Sequence, residues 1–125
     1  MKKRSFLKFL LMIFGALPLK LLSYPKNEKI TFDYGVASGD PTNSHIILWT
    51  KVSKKNRNDI YIKWQVSNDI NFEKIIASGS HISSFSDNFT VKVDAEIPQE
   101  FNGKKVYYRF NYENIYSDIG TTSTL

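Results

Sequence analysis

"FTVKVDAEI", residues 89 to 97, places an apolar side chain at every odd position and a polar one at every even position. Phe89, Val91, Val93, Ala95 and Ile97 fall on one side, and Thr90, Lys92, Asp94 and Glu96 on the other. A period of two is the mark of a strand with one buried face and one wet face. On a helix the same residues would be scattered around the whole circumference. The stretch therefore predicts an antiparallel sheet that covers a core on one side only.

The rule repeats in both directions along the chain. Ile60, Ile62, Trp64 and Val66 alternate with Tyr61, Lys63 and Gln65. Val106, Tyr108, Phe110 and Tyr112 form a further stripe, and Ile30, Phe32, Tyr34 and Val36 another. Residues 46 to 52 are apolar on both parities, which predicts a strand covered on both sides. Ile75 to Ser78 reads as a short strand, and Tyr116 to Leu125 as a threonine-rich edge strand. "SNDINFEK", residues 67 to 74, lacks alternation and reads as a loop with one helical turn, docked by Phe72. About seven strands in roughly 100 residues, with turn residues between them, predict an all-β fold. The expected architecture is an immunoglobulin/fibronectin III-like sandwich of about seven antiparallel strands, with Trp64 buried mid-strand.

The chain has 125 residues, which suits one domain. It has no cysteine, so a disulfide framework, a thiolate metal site and a cysteine nucleophile are excluded. The formal charge is +5. Lys2, Lys3, Arg4, Lys8 and Lys20 supply that excess, because the rest of the chain carries equal numbers of basic and acidic residues. A charge confined to the N-terminus reads as targeting, not as a nucleic-acid groove.

Residues 1–23 open with four of these basic side chains, Lys2, Lys3, Arg4 and Lys8, and a largely apolar run from Phe9 to Leu19 follows, ahead of Lys20. That run is shorter than the ~20 residues needed to cross a bilayer core. It matches the apolar region of a secretory signal-peptide helix, so no stable membrane span is expected. Lys3-Arg4-Ser5-Phe6-Leu7-Lys8 resembles a twin-arginine export signal with lysine in place of the first arginine. The expected organisation is an export signal over 1–23 that engages the export machinery, then a β-sandwich domain over 24–125. The expected location is periplasmic or secreted.

Gly35-Val36-Ala37-Ser38-Gly39-Asp40-Pro41 lies between two apolar strings. A turn accounts for each residue. Pro41 biases Asp40 towards extended backbone, Gly39 can take a positive φ, and the Asp40 carboxylate can bond the amides of the following turn. A phosphate-binding loop would need a lysine and a Ser or Thr opening a helix, whereas "TNSHIILW" opens a strand. Ser38 as a nucleophile would need a base, and His45 and His81 are the only histidines. Each is read as an ordinary lone histidine, since a metal requires several ligands. Asp94 and Glu96 share one strand face and read as a solvated edge. No catalytic, cofactor-binding or metal-ligating residue is assigned. Tyr61, Tyr107 and Tyr116 face away from the apolar stripes and are candidates for stacking on carbohydrate or on a partner. Asn88-Phe89-Thr90 is a glycosylation sequon only in a glycosylating pathway.

These motifs, taken in order, resemble the N-terminal domain of PhoD-like alkaline phosphatases, also labelled a phospholipase D N-terminal domain. Gly35 to Pro41 match its G-V-A-S-G-D-P signature, and Leu48-Trp49-Thr50 match its L-W-T-R, with Lys51 for arginine. Trp64 to Ser67 resemble its W-x-V-[AS] strand, and Asp69 with Phe72 its D-x-x-F turn. Val91-Lys92-Val93 and Tyr108-Arg109-Phe110 are similar to its later strands. Residues 117 to 125 resemble its S-x-x-G-x-T-x-T-L exit, with Thr121 for arginine. Val106 stands where the family usually has a tyrosine, which would cost a corner hydrogen bond worth about 1 kcal/mol unless Tyr107 compensates.

The resemblance implies hydrolysis of phosphate esters at a calcium- and iron-containing site that belongs to a separate catalytic domain. The expectation is a non-catalytic module, truncated or split from a phosphoesterase domain that acts in cis or as a separate chain. The rival expectation is a stand-alone secreted module that binds carbohydrate or protein.

Overall fold

The computed structural model describes residues 28–125, and the expected export signal and its helix lie outside them. Ten strands occur among the described residues. They are β1 (Ile30–Thr31), β2 (Val36–Gly39), β3 (His45–Lys51), β4 (Ser53–Lys54) and β5 (Ile60–Ser67). They continue with β6 (Ile75–Ser83), β7 (Thr90–Glu96), β8 (Val106–Tyr112), β9 (Ile115–Tyr116) and β10 (Gly120–Thr122). Two single-turn helices, Phe85–Asp87 and Gln99–Phe101, flank β7.

One sheet runs β2-β3-β7 and the other β10-β8-β5-β6, with β9 on β8, and β1 with β4 forms a separate ribbon. Every pairing is antiparallel. The expected sandwich is present, with β1, β4 and β9 as short additions. β6 runs beside β7, and β10 beside β2, so the sheets meet at both edges. The inner faces interdigitate in one core. Ile46 and Leu48 of β3 and Val91, Val93 and Ala95 of β7 meet Ile60, Ile62 and Val66 of β5 and Val106, Tyr108 and Phe110 of β8. Burying each such aliphatic or aromatic side chain contributes about 1.5–3 kcal/mol.

β7 shows strict burial alternation over Thr90–Glu96, as its sequence demands. In β3 the alternation is buried against half-buried, because Ile47 and Trp49 lie on the outer face without full exposure. The pattern of apolar residues on both parities is explained there. Lys92, the cross-strand neighbour of Trp49, holds its ammonium 5.6 Å from the indole.

Three expectations about strands need correction. The stripe from Ile30 to Val36 is not one strand, for β1 ends at Thr31 and Gly35 turns the chain at φ 72°. Tyr34 is consequently 66% exposed and not core. Ile75 begins a nine-residue strand, longer than the expected Ile75–Ser78, because β6 pairs with β5 along its whole length. The C-terminal strand is two short pieces, β9 and β10, separated by Ser117 to Ile119. Trp64 is half-buried and packs against the core from its margin. The loop expected at 67–74 occupies 68–74, since Ser67 closes β5. It holds a turn bonded from the Phe72 amide to the Asp69 carbonyl in place of the expected helical turn. Phe72 docks as expected, buried at φ 54°.

Candidate functional site

The motif residues are the first candidates for chemistry, and most of them are engaged in holding the fold together. In β2, Val36 and Ala37 pair with Thr50 and Trp49, and Ser38 and Gly39 with Leu48 and Ile47. The run at 36–39 is thus an edge strand, and the turn follows at 40–44. Gly39 keeps strand geometry and Asp40 takes the positive φ, 47°, reversing the expected assignment. The reason is steric. A Cβ on Gly39 would stand 3.0 Å from the Trp49 ring, so glycine is spent on close approach. Asp is among the few residues that tolerate the left-handed region. Thr42 caps the turn, its Oγ1 accepting from the amides of His45 at 2.9 Å and Ser44 at 3.3 Å. Ser38, the serine of this run, hydrogen-bonds the Tyr108 phenol. Burial pushes that phenol above its ordinary range, and the Ser38 contact pulls it partly back.

The exit motif is used in the same way. Ser117 Oγ accepts from the Phe110 amide and donates to the Asp118 carbonyl, both at 2.8 Å. Gly120 lies under the Tyr108 ring so closely that any Cβ would overlap the ring carbons. Thr124 Oγ1 accepts from the Gly103 amide at 2.8 Å, and the Leu125 amide donates to the Thr42 carbonyl at 3.0 Å. In the Asp69 turn, the carboxylate accepts from Ser67 Oγ and from the amides of Glu73 and Lys74. The Ser67 bond above all holds the Asp69 carboxyl below its ordinary pKa.

The lone histidines part company. His45 Nδ1 lies 3.0 Å from Asp94 Oδ1, on the wet face shared by β3 and β7. This pair is not legible in the sequence. Register alone reveals it, because His45 is opposite Glu96 and Ile47 opposite Asp94, which makes His45 and Asp94 diagonal neighbours. His81 sits on β6 opposite Ile62, away from them. Among the described residues, no group of three or more His, Asp or Glu side chains is placed to hold a metal.

The outer face of the β10-β8-β5-β6 sheet is richer. The Arg109 guanidinium lies between two rings, 4.1 Å from Phe72 and 4.4 Å from Tyr116, while its Nε donates to Gln65 Oε1 at 2.9 Å. Tyr116 and Tyr61 are about half exposed, as expected, whereas Tyr107 is half-buried beneath Lys105. Tyr61 and its cross-strand partner Ile82 border a cleft of about 530 Å³ that also takes in Lys63, Asn111 and Glu113. Asn111 is buried, and its Oδ1 accepts no hydrogen bond while Nδ2 donates to the Glu113 carbonyl at 3.3 Å.

With the geometry in place, known proteins can be compared. The family model "PhoD-like phosphatase, N-terminal domain" matches residues 20–125. The chain belongs to this family. Alkaline phosphatase D of Bacillus subtilis (strain 168) is 32% identical over an alignment of 108 residues that covers 81% of this chain and 18% of that protein. The solved structure titled "Structure of PhoD" superposes with a TM-score of 0.72 at 32% identity, covering 76% of this chain and 19% of the other. The chain thus spans less than a fifth of the length of the relatives it matches. In this PhoD-like N-terminal domain, the G-V-A-S-G-D-P run is a strand and its exit turn, and the L-W-T segment is its cross-strand partner. The tyrosine-corner departure at Val106 leaves a fully buried valine, and the buried phenol bonded across the sandwich belongs to Tyr108.

Proposed function

We propose that this chain is the non-catalytic N-terminal sandwich of an exported PhoD-like alkaline phosphatase or phosphodiesterase. The chemistry belongs to a metal-dependent phosphoesterase domain, in cis or as a separate chain, and calcium and iron are held there. The observation that carries the reading is the use of the motif residues. Gly39, Ser38, Thr50, Ser117, Gly120 and Thr124 are each committed to a close approach or hydrogen bond within the sandwich. A nucleophile or general acid needs a free group with an oriented partner at substrate distance. None of these residues is arranged in that way. The module's work is then to pack on the catalytic domain and shape the approach to it. The basic, apolar pattern of residues 1–23 supports export.

The experiment is direct. The purified chain, supplied with calcium and iron, is assayed on p-nitrophenyl phosphate and bis-p-nitrophenyl phosphate. The reading predicts no turnover above the metal-only blank, and co-purification with the phosphoesterase domain when the two are co-expressed. Chelator-sensitive turnover by the chain alone would reject it.

A second reading has one observation in its favour. The cleft beside Tyr61 combines an exposed ring, the unbonded Asn111 Oδ1 and Lys63, which are the elements of a small carbohydrate site. A glycan array with the chain tests it, and Tyr61→Ala removes any specific signal if the cleft is the site.

A further inference from the structure

Residues 51 to 57, Lys-Val-Ser-Lys-Lys-Asn-Arg, hold four basic side chains and no acid. They leave the end of β3, pass through β4 and border an open hollow of about 450 Å³. Its remaining wall comes from Tyr34, Phe85, Asn88 and Phe89, and no carboxylate is among the lining residues. Lys54 forms the floor. Its side chain is fully enclosed, and its Nζ donates to Asn56 Oδ1 at 2.6 Å and to the Asn58 carbonyl at 2.5 Å. It also pairs with Glu28 at 2.5 Å and lies 4.7 Å from the Phe89 ring. That charge is spent within the fold.

The other three are not. Lys55 and Arg57 are exposed and Lys51 is half-exposed. Two are held in place by rings. Lys51 Nζ lies 4.7 Å from the centre of Tyr34, and the Arg57 guanidinium 4.6 Å from the centre of Phe85. Both rings are exposed, at 66% and 49%. A cation stacked on a ring keeps its hydrogen-bond donors free, because the ring occupies the face and not the N–H edge. Stacking also removes rotamer freedom that binding would otherwise have to remove. The nearby carboxylates are turned elsewhere, with Asp33 accepting from Thr31 Oγ1 at 2.8 Å and Asp87 from Ser84 Oγ at 3.0 Å.

We propose that this hollow binds the phosphate group of an anionic ligand through Lys51, Lys55 and Arg57. Phosphate suits the donor set, since Arg57 presents a planar fork and the two lysines add point charges. The site lies apart from the Tyr61 cleft and takes no part in bond breaking. It stands whether or not the chain works with a phosphoesterase domain. The phosphate can belong to a soluble compound or to a lipid headgroup, and the experiment separates the two.

The full 125-residue chain, kept in neutral detergent micelles, is titrated with tripolyphosphate and followed by ¹H–¹⁵N NMR. Saturable shifts are expected at the amides of residues 51–57 and of Tyr34. Replacing Lys51, Lys55 and Arg57 by Gln weakens binding at least tenfold. Lys55→Gln alone, at an exposed position, weakens it by a smaller factor with the spectrum unchanged. Lys92→Gln with Lys105→Gln, which removes two other ring-stacked cations, leaves binding as it was. A parallel arm measures the chain on vesicles of phosphatidylglycerol against phosphatidylcholine. Phosphatidylglycerol preference that disappears in the triple variant, together with tripolyphosphate binding, assigns the phosphate to a headgroup. Tripolyphosphate binding without that preference assigns it to a soluble compound. Absence of saturable shifts at 51–57, or an equal loss in the Lys92/Lys105 control, overturns the proposal, whatever the vesicles show.

Discussion

The Thr50 hydroxyl donates a hydrogen bond of 2.8 Å to the carbonyl of Gly35. The first residue of the G-V-A-S-G-D-P run and the threonine of L-W-T are thereby tied to each other, and Thr50 is almost wholly buried. Thr50→Val keeps the shape and leaves the Gly35 carbonyl without that donor. Gly35 is only partly buried, so the loss is about the net worth of one hydrogen bond, roughly 0.5–1.5 kcal/mol. Urea unfolding of the variant is expected to show a lower midpoint with an unchanged slope, since the exposed surface on unfolding is the same. An unchanged midpoint would show that the bond contributes nothing net.

Gly120 makes a sharper case. Its backbone passes against the Tyr108 ring, with no room for a Cβ. Gly120→Ala must push β10 away from β8 or turn Tyr108 out of the core, and overpacking of this kind costs about 1–3 kcal/mol. The same alanine placed with Tyr108→Leu is expected to cost less than the two single changes added together. A double-mutant cycle on unfolding free energies measures that coupling. Strict additivity would mean that the ring and the glycine do not press on each other.

Much of this arrangement was legible from alternation alone. The stripes at 60–66, 89–97 and 106–110 named the inner faces of β5, β7 and β8, because a one-residue slip would exchange core for water, while the share of β3, Ile46 and Leu48, was masked by apolar residues on both parities. Edges and turns were less legible. Val36 to Gly39 looks like turn chemistry, since two glycines and a proline mask a short edge strand. Only the Trp49 ring, brought beside Gly39 by cross-strand register, reveals why glycine is needed there. The His45–Asp94 pair and the basic hollow were illegible for the same reason. Residues 49 positions apart, or in the turn before β2, at the end of β3, on β4 and in the segment before β7, become neighbours only after pairing is fixed.

The loop at 68–74 depends on an ionised carboxylate. Asp69 accepts from Ser67 and from two backbone amides, which holds its pKa below the ordinary 3.8. A folded pKa below the unfolded one gives stability that is present above the unfolded value and fades as pH falls through the folded one. Chemical shifts of Ser67, Glu73 and Lys74 are therefore expected to move together in a single titration below pH 3.8. Asp69→Asn should abolish that titration. A midpoint at or above 3.8 would show that the three donors do not favour the charged form.

Tyr108 titrates in the opposite range. Burial raises its phenol above 10.0, and the Ser38 contact opposes part of that rise. A raised folded pKa gives stability that is complete below the unfolded value and is lost as pH climbs towards the folded one. Unfolding midpoints are expected to fall above about pH 10. Ser38→Ala removes the opposing contact, so ultraviolet titration should find Tyr108 ionising at still higher pH than in the parent chain. A shift downward would assign the rise to something other than burial.

Arg109 tests how the outer sheet face is held. Its guanidinium is stacked between Phe72 and Tyr116 and hydrogen-bonded to Gln65, so three separate segments converge on one side chain. Lysine keeps the charge but has neither the flat surface nor the fork, and cannot serve two rings and an amide at once. Each exposed cation–π contact contributes about 0.5–1 kcal/mol. Arg109→Lys is expected to lower stability by roughly 1 kcal/mol or more, with the loss concentrated where Phe72 anchors the loop at φ 54°. Hydrogen exchange localises it. Faster exchange of the Phe72 and Lys74 amides, with the β3–β7 amides unchanged, is the expected pattern. Uniform acceleration across both sheets would instead make Arg109 a support of the whole sandwich, because a local anchor leaves the far sheet as protected as before.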